Sequence, residues 1–116
     1  MKKLKIITLE KLIELRENSE KFKLVETLSP ESYKQGHIPG AINFPTKIGE
    51  SVGEIKKVAA SKGLKKSDVI VTYCASYTCR GSTNAARLLL KAGFKNVLDF
   101  KASKKGWTDA GFELEQ

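Results

Sequence analysis

The chain has 116 residues, of which 41% are hydrophobic and 29% charged, a balance typical of one globular domain and unlike that of a disordered chain. Its formal net charge is +8, from 21 Lys and Arg against 13 Asp and Glu. The basic residues are mostly lysines spread along the chain, without the clustered arginines and interleaved aromatic residues of nucleic-acid-binding surfaces. We therefore expect no nucleic-acid partner.

The cysteine count and the N-terminus bear on where the protein works. Cys74 and Cys79 lie in one loop, and two cysteines are too few for the disulfide framework of a secreted protein. The N-terminus is basic and then apolar, but the apolar run stops at Glu10, too early for a signal peptide. No stretch approaches the roughly 20 apolar residues of a membrane span. These features predict a soluble cytoplasmic protein without a membrane partner.

The first half of the chain predicts three short strands and two helices. Residues 5–8 and 22–26 are apolar runs typical of strands, and 41–44 could form a third strand. A helix is predicted from Thr8 through Glu17, closed by 18–20, because leucine and isoleucine recur at helical spacing. Ser29 as N-cap and Pro30 at the first helical position begin a second helix, which Gly36 ends. Residues 37–40 are predicted to form a turn.

The second half continues the alternation. Residues 48–53 are predicted to form a loop and 54–61 a helix, with Gly63 just beyond its end. The β-branched run 69–73 predicts a buried strand, followed by a helix over 82–90 with Ser82 and Thr83 as possible N-caps. Residues 91–93 end that helix. A last strand over 97–100 precedes a turn of helix within 103–111, with Trp107 packed on the body of the domain.

Regular alternation of strands and helices predicts an α/β domain with a central parallel sheet of about five strands and helices on both faces. Ligands of such sheets bind at the carboxyl ends of the strands. Cys74 directly follows the most apolar strand. Backbone amides of the loop and the start of the next helix can stabilise an anion there, and both lower a cysteine pKa below about 8.5. The stretch therefore predicts a nucleophilic thiolate at Cys74.

Three stretches of the chain resemble the rhodanese-like domain family. The first is Glu31-Ser-Tyr-Lys-Gln-Gly-His-Ile-Pro-Gly-Ala-Ile-Asn43, which is similar to the family's long Glu-x-Tyr-x-x-Gly-His-Ile-Pro-Gly-Ala-x-Asn signature. The second is 71–74 followed by Ser82, Ala85, Ala86 and Leu89, which resembles the active-site strand, loop and helix. The third is 93–97 with Trp107, Ala110 and Gly111. The resemblance covers nearly the whole chain and implies one rhodanese-like domain over 1–116.

The resemblance implies a sulfurtransferase without a metal or organic cofactor. Cys74 would attack a small anionic sulfur donor, such as thiosulfate or a persulfide, and hold the sulfur as a cysteine persulfide. A thiol, a protein acceptor or cyanide would then take it. The amides of the loop residues would bind the persulfide, and Arg80 could hold an oxyanion of the donor. The loop residues are Ala75, Ser76, Tyr77, Thr78, Cys79, Arg80 and Gly81.

This chain departs from the family's commonest pattern at three places. The common loop runs Cys, four residues, Arg, Ser; here five residues separate Cys74 from Arg80, and Cys79 and Ser82 give a Cys-x4-Cys-x2-Ser variant. Aligned on Ser82, the loop is two residues longer than usual. The segment 26–28 replaces the usual Asp-x-Arg, so that Glu26 keeps the charge and Leu28 removes the arginine. Residues 101–104 replace a usual glycine pair.

The longer loop leaves two other functions open. Cys74, five residues and Arg80 is the spacing of the phosphatase branch of this fold and of related arsenate reductases, in which arginine binds the oxyanion in a bidentate fork. Tyr73 stands where that branch usually has histidine, and Asp68 and Asp99 are the nearest acidic residues in sequence. The other alternative is a non-catalytic binding or regulatory module.

Several further residues receive predictions of their own. Cys79 could be a resolving thiol, which attacks the Cys74 persulfide, releases sulfide and leaves a disulfide, or a loop residue with no role. His37 is expected to be held structurally by hydrogen bonds, and Glu26 could hold a lysine or a backbone group near the site. Tyr77 could line the mouth of the site or point to solvent.

Overall fold

Strands and helices alternate along the chain in a computed structural model, which describes residues 4–18, 21–47 and 49–116. The strands are β1 Lys5–Ile7, β2 Lys23–Glu26, β3 Ile42–Asn43, β4 Val69–Tyr73 and β5 Asn96–Phe100. The helices are α1 Leu9–Glu17, α2 Pro30–Gln35, α3 Val52–Ser61, α4 Gly81–Lys91 and α5 Ser103–Asp109. The predicted order of elements is confirmed.

The described strands form one parallel sheet in the order β1-β5-β4-β2-β3. The predicted α/β class and the sheet of about five strands are therefore confirmed. Strand β4 lies in the middle, with Val71 level with Leu24 on one side and Leu98 on the other. A strand flanked on both sides and covered on both faces is nearly continuously apolar, which explains why 69–73 is the most apolar run. Its carboxyl end points to Cys74.

Helices cover both faces of the sheet, and each face has its own core. On one face, α3 and α4 contribute Ile55, Ala59, Ala86 and Leu89, all almost fully buried. On the other face, α1 and α5 contribute Leu12, Leu15 and Trp107. Trp107 packs on the body of the domain as predicted.

Helix α3 begins two residues earlier than the sequence analysis predicted. Ser51 is its N-cap, and Ser51 and Glu54 form a reciprocal capping box, with the Glu54 amide donating to Ser51 Oγ at 3.1 Å. Ser51-x-x-Glu54 is a capping-box sequence, so the predicted loop over 48–53 ends at Ser51 rather than at Gly53. The C-terminal end is as predicted, since Gly63 adopts a positive φ of 73°. The predicted loop residue Ile48 and the predicted helix-closing residues Ser19 and Glu20 lie outside the described residues.

Helix α4 begins at Gly81, and the prediction of Ser82 or Thr83 as N-cap is wrong. The N-cap position is Arg80, which is in the αR region and makes no side-chain capping bond. Ser82 is fully buried within the first turn, and Thr83 Oγ1 donates to Asp99 Oδ2 at 2.7 Å. The first amides of α4 are therefore left without a side-chain cap, at the end of the helix that faces Cys74.

The described residues contain no helix that is both long enough and apolar enough to cross a lipid bilayer.

Candidate active site

Cys74 lies directly after β4, at the carboxyl end of the central strand, and is completely buried. Neighbouring β2 ends level with it, because Glu26 pairs with Tyr73. Residues 75–80 form the loop, and α4 begins at Gly81. The strand, loop and helix thus place Cys74 where parallel sheets bind ligands, as the sequence predicted.

Cys74 and Cys79 are joined by a disulfide bond within the loop. Their Cα atoms are 6.3 Å apart, inside the usual range for disulfides of about 4.4 to 6.8 Å. The two residues differ in burial, since Cys74 is fully buried and Cys79 is half-buried. The path of the loop therefore brings the second cysteine into bonding contact with the first.

Most amides of the loop have no partner in the described part of the chain. The amide of Cys79 is an exception, since it donates to the Ser76 carbonyl at 3.1 Å and closes a turn. The unpaired amides are those of Ala75, Ser76, Tyr77, Thr78, Arg80 and Gly81. Unpaired amides next to a helix N-terminus favour an anion. Their part in binding a persulfide stays a prediction.

Ser103 holds the backbone of Cys74, a role that the sequence analysis missed. The Cys74 amide donates to Ser103 Oγ at 3.0 Å, and the Ser103 hydroxyl lies 3.0 Å from the Lys101 carbonyl oxygen and 3.2 Å from that of Phe100. Ser103 is fully buried and has a φ of 63°, the left-handed conformation that favours glycine. The signal for it was the replacement of the family's glycine pair over 101–104.

The first turn of α5 fastens the loop through its backbone. The amide of Lys104 donates to the Cys74 carbonyl at 3.1 Å, and that of Lys105 to the Ala75 carbonyl at 2.9 Å. Both carbonyls of the loop entrance are thus satisfied by a helix that packs on the opposite face from α4. The entrance of the loop is therefore fixed from the face of the sheet opposite α4.

Gly81, the first residue of α4, lies close to both sulfurs. A Cβ atom at Gly81 would lie 3.3 Å from Cys74 Sγ, 3.6 Å from Cys79 Sγ and 3.3 Å from Thr27 Oγ1. Contacts of 3.3 Å are tighter than most real Cβ contacts. Thr27 in turn donates from Oγ1 to the Tyr73 carbonyl at 3.1 Å. The absence of a side chain at Gly81 makes room for the disulfide.

Arg80 and Tyr77 lie outside the buried part of the site. Arg80 is exposed, and its guanidinium makes no ion pair or hydrogen bond with the described residues. Tyr77 is 64% exposed, and Lys101 Nζ lies 5.1 Å from its ring centroid. Tyr77 therefore stands on the solvent side of the loop, beside a lysine.

Beneath the site, Glu26 is fully buried and shared by two partners. Tyr73 donates to Glu26 Oε2 at 2.6 Å and accepts from the Ile38 amide at 3.0 Å. Lys104 Nζ lies 3.4 Å from the same carboxylate oxygen, so Glu26 does hold a lysine, whereas Oε1 has no partner among the described residues. Burial, and then the bond to Glu26, raises the pKa of the Tyr73 phenol well above its usual value. Tyr73 is therefore a permanent donor.

His37 is held structurally, as predicted. Its Nδ1 lies 2.9 Å from the Tyr33 carbonyl oxygen and its Nε2 lies 3.2 Å from Glu115 Oε1. The imidazole also stacks on the Tyr33 ring, with centroids 3.8 Å apart. Both nitrogens are occupied at the junction of α2 with the C-terminal segment, away from the loop.

Neither acidic residue considered as a general acid is free at Cys74. Asp68 precedes β4 and accepts from the Lys65 amide at 2.9 Å, so it lies at the opposite end of a strand about 16 Å long. Asp99 is fully buried and accepts from Thr72 at 3.2 Å and from Thr83 at 2.7 Å. Neither of these two carboxyl groups is therefore positioned to serve Cys74 as a general acid.

Comparison with known proteins identifies the fold and its relatives. A family model described as Rhodanese-like domain matches residues 8–110. The chain is 30% identical over 102 residues to YrkF of Bacillus subtilis, a candidate sulfur carrier protein, covering 88% of this chain and 50% of that one. It is 33% identical over 73 residues to the thiosulfate sulfurtransferase PspE of Escherichia coli, covering 63% and 62%. The chain thus spans about half to two thirds of these relatives.

A solved structure gives the same result. The structure of EanB with ergothioneine covalently linked with a persulfide cysteine superimposes with a TM-score of 0.80 and 26% sequence identity. The match covers 98% of this chain and 28% of that one. Nearly all of this chain therefore corresponds to part of a larger protein that carries a persulfide.

Proposed function

Because the chain belongs to the rhodanese-like domain family, we propose that it is a sulfurtransferase that carries a sulfane sulfur as a persulfide on Cys74. The observation that carries the proposal is the position of Cys74, buried at the carboxyl end of β4, where it opens a loop with unpaired amides that leads to the uncapped start of α4. The names of YrkF and PspE support sulfur transfer. That residues 1–116 form one such domain, in the cytoplasm, stays a prediction.

The reaction begins with Cys74 reduced to a thiolate. The thiolate attacks the outer sulfur of thiosulfate, a new S–S bond forms, and sulfite leaves with the electrons of the broken S–S bond. The product is a Cys74 persulfide anion, and an acceptor thiolate or cyanide then removes its outer sulfur and restores the thiolate. Neither step needs a proton from a general acid, since sulfite and the Cys74 thiolate leave as anions.

The loop amides would stabilise charge in both states of Cys74. A thiolate and a persulfide are each anionic, and N–H groups aimed at a localised anion stabilise it. Together with the N-terminus of α4, they lower the pKa of a reduced cysteine at this position. The Ser103 hydroxyl adds no charge but fixes the Cys74 backbone at 3.0 Å.

The spacing Cys74-x5-Arg80 keeps phosphate or arsenate chemistry as the second candidate. That chemistry uses arginine as a bidentate ligand and an acid to protonate the leaving group. Arg80 is exposed, and Asp68 and Asp99 are committed to other bonds. These positions favour sulfur transfer. A non-catalytic binding module is the third candidate and predicts no dependence of any turnover on Cys74.

The test is thiocyanate formation from thiosulfate and cyanide by the reduced, desalted protein. Wild type should turn over and Cys74→Ser should lose all activity. If Arg80 only attracts the donor from the surface, Arg80→Ala should raise KM for thiosulfate by up to about fivefold and leave kcat unchanged. Arg87→Ala removes the same charge from an exposed position of α4 and is the matched control. Cys74-dependent aryl-phosphate hydrolysis that collapses in Arg80→Ala, without sulfur transfer, would overturn the proposal.

A further inference from the structure

The Cys74–Cys79 disulfide joins the proposed persulfide carrier to a second thiol that the transfer reaction does not use. We propose that the domain also reduces its bound sulfur, an inference that rests on the proposed function. Cys79 attacks the Cys74 persulfide and sulfide is released. A dithiol then reduces the resulting Cys74–Cys79 disulfide to two thiols. The substrate class would be sulfane sulfur, and the second substrate a dithiol of a small molecule or a reductase protein.

The attack is geometrically available because both sulfurs already converge beneath the start of α4. A Cβ atom at Gly81 would lie within 3.6 Å of each Sγ, so the two sulfurs occupy the space that the glycine leaves. The turn closed by the Cys79 amide and the Ser76 carbonyl at 3.1 Å holds Cys79 toward Cys74. The carbonyls of Cys74 and Ala75 are fixed by α5. In the oxidised state, therefore, the loop entrance stays bonded to α5 while the two sulfurs are joined.

Atoms and electrons balance within the loop. The Cys79 thiolate attacks the inner sulfur, Cys74 Sγ, so the Cys74–Cys79 bond forms and the bond to the outer sulfur breaks. The outer sulfur leaves with that electron pair as sulfide and takes up the proton that Cys79 lost. The two cysteine sulfurs are oxidised and the sulfane sulfur is reduced. A dithiol then reduces the disulfide by two successive exchanges and becomes a disulfide itself.

The difference in burial decides which sulfur the reductant meets. Cys74 is fully buried and Cys79 half-buried, so an incoming thiolate reaches Cys79 Sγ first. The leaving group is then the Cys74 thiolate, which the loop amides and the α4 N-terminus stabilise. A leaving thiol of lower pKa departs faster. Reduction therefore proceeds through a mixed disulfide on Cys79 and returns Cys74 directly as the nucleophile.

The experiment follows one turnover without reductant. Reduced protein is loaded with thiosulfate, desalted to remove sulfite and excess donor, and sampled for intact mass and released sulfide. Wild type should pass from a gain of one sulfur to a loss of two hydrogens, with one sulfide released per chain. Cys79→Ser should load equally but keep the sulfur, with sulfide release slower by at least about tenfold. Asn84→Ser, an exposed change on α4, should behave as wild type.

The outcomes separate the two proposals. A wild type that loads sulfur and retains it as long as Cys79→Ser, without forming the disulfide, would overturn the resolving role and leave sulfur transfer standing. Failure of both proteins to gain sulfur would overturn the proposed function, and the resolving role with it.

The site of reductant attack is tested on the oxidised wild type. A limiting monothiol is added, free thiols are trapped by alkylation, and the peptide containing both cysteines is sequenced by mass spectrometry. The monothiol should be found on Cys79 and the alkyl group on Cys74. The reverse assignment would overturn the proposed direction of reduction.

Discussion

The backbone amide of Cys74 donates a hydrogen bond at 3.0 Å to the hydroxyl of Ser103, 29 residues further along the chain. The bond joins the end of β4 to the start of α5, and both of its groups are buried. Ser103 has to adopt a φ of 63° to make it, a conformation that costs an L-residue about 1 to 2 kcal/mol. The strained residue thus lies next to the proposed nucleophile. The hydrogen bond that it makes fixes the backbone of Cys74.

Replacing Ser103 separates the hydroxyl from the backbone strain. Ser103→Ala leaves the buried Cys74 amide without its acceptor and should lower the free energy of unfolding by about 1 to 3 kcal/mol. Ser103→Gly loses the same bond but relieves the positive φ, so it should be the more stable of the two by about 1 kcal/mol. Urea unfolding of both variants measures the difference. Equal stability of the alanine variant and wild type would show that the hydroxyl contributes nothing.

Adding a methyl group at Gly81 should impair the site more than the fold. The new Cβ would lie 3.3 Å from Cys74 Sγ and from Thr27 Oγ1, so these atoms must shift by a few tenths of an ångström. We expect Gly81→Ala to lower kcat/KM for thiosulfate by about tenfold, since misplaced reacting groups are costly.

Gly53→Ala is the matched control for Gly81→Ala. It adds the same methyl group in the first turn of α3, where its closest neighbour would be Ser51 Oγ at 3.8 Å. Activity should be unchanged and stability should rise by up to about 1 kcal/mol. Equal activity of the two alanine variants would contradict a close fit at Gly81.

The phenol of Tyr73 should be worth more to stability than that of Tyr33. Tyr73→Phe removes a bond to the buried Glu26 carboxylate at 2.6 Å and the acceptor of the Ile38 amide, and should cost about 3 kcal/mol. Tyr33→Phe removes one bond to the Ala41 carbonyl at 2.5 Å in a half-buried position, and should cost about 1 kcal/mol. Denaturant midpoints at constant m-value measure which variant loses more stability. A larger loss in Tyr33→Phe than in Tyr73→Phe would mean that Lys104, rather than Tyr73, is the main partner that stabilises Glu26.

Glu115, in the C-terminal segment, should make the free energy of unfolding fall in acid. The Gly40 amide donates to Glu115 at 2.8 Å, and this bond, together with the bond to His37 and its charge, lowers the pKa of the Glu115 carboxyl. Because the folded pKa is the lower one, the contribution is complete above the unfolded value of about 4.3 and is lost as pH falls through the folded pKa.

Glu115→Gln should therefore be less stable than wild type at pH 7, and the two should converge at a pH below the folded pKa. The measurement is the urea midpoint at both pH values. Glu113→Gln removes the same charge two residues away and is the control for net charge. A difference that persists unchanged in acid would mean that the carboxylate charge of Glu115 is not the cause.

The pattern of apolar residues is sufficient to predict the order of elements. Strand β4 is a continuous β-branched apolar run, and the apolar residues of α4 recur at helical spacing. The starts of two helices differ from the prediction because a serine near a helix start can either cap the helix or lie inside it or in the preceding loop. The sequence favours Ser82 as a cap, yet it is buried inside the first turn, and it favours a loop at Ser51, which caps α3. A single sequence cannot distinguish these uses, because both depend on which way the chain enters the helix.

The candidate site could be predicted only in part for a similar reason. Cys74 was identified because its strand and loop are contiguous in sequence. Thr27 and Ser103 are brought to it from the ends of β2 and β5, and only the departure from the family's pattern at 101–104 points to Ser103, without indicating its bond to Cys74. The pairing of Cys74 with Cys79 depends on the path of the loop, which spacing alone left open.

The most direct test of the account is the intact mass of the reduced protein after incubation with thiosulfate, measured at once and compared with Cys74→Ser. The account predicts a gain of one sulfur atom in wild type, or the loss of two hydrogens where Cys79 has already acted with release of sulfide, and neither change in the variant. An unchanged mass in wild type without sulfide release, or a gain of sulfur that persists in Cys74→Ser, would contradict it.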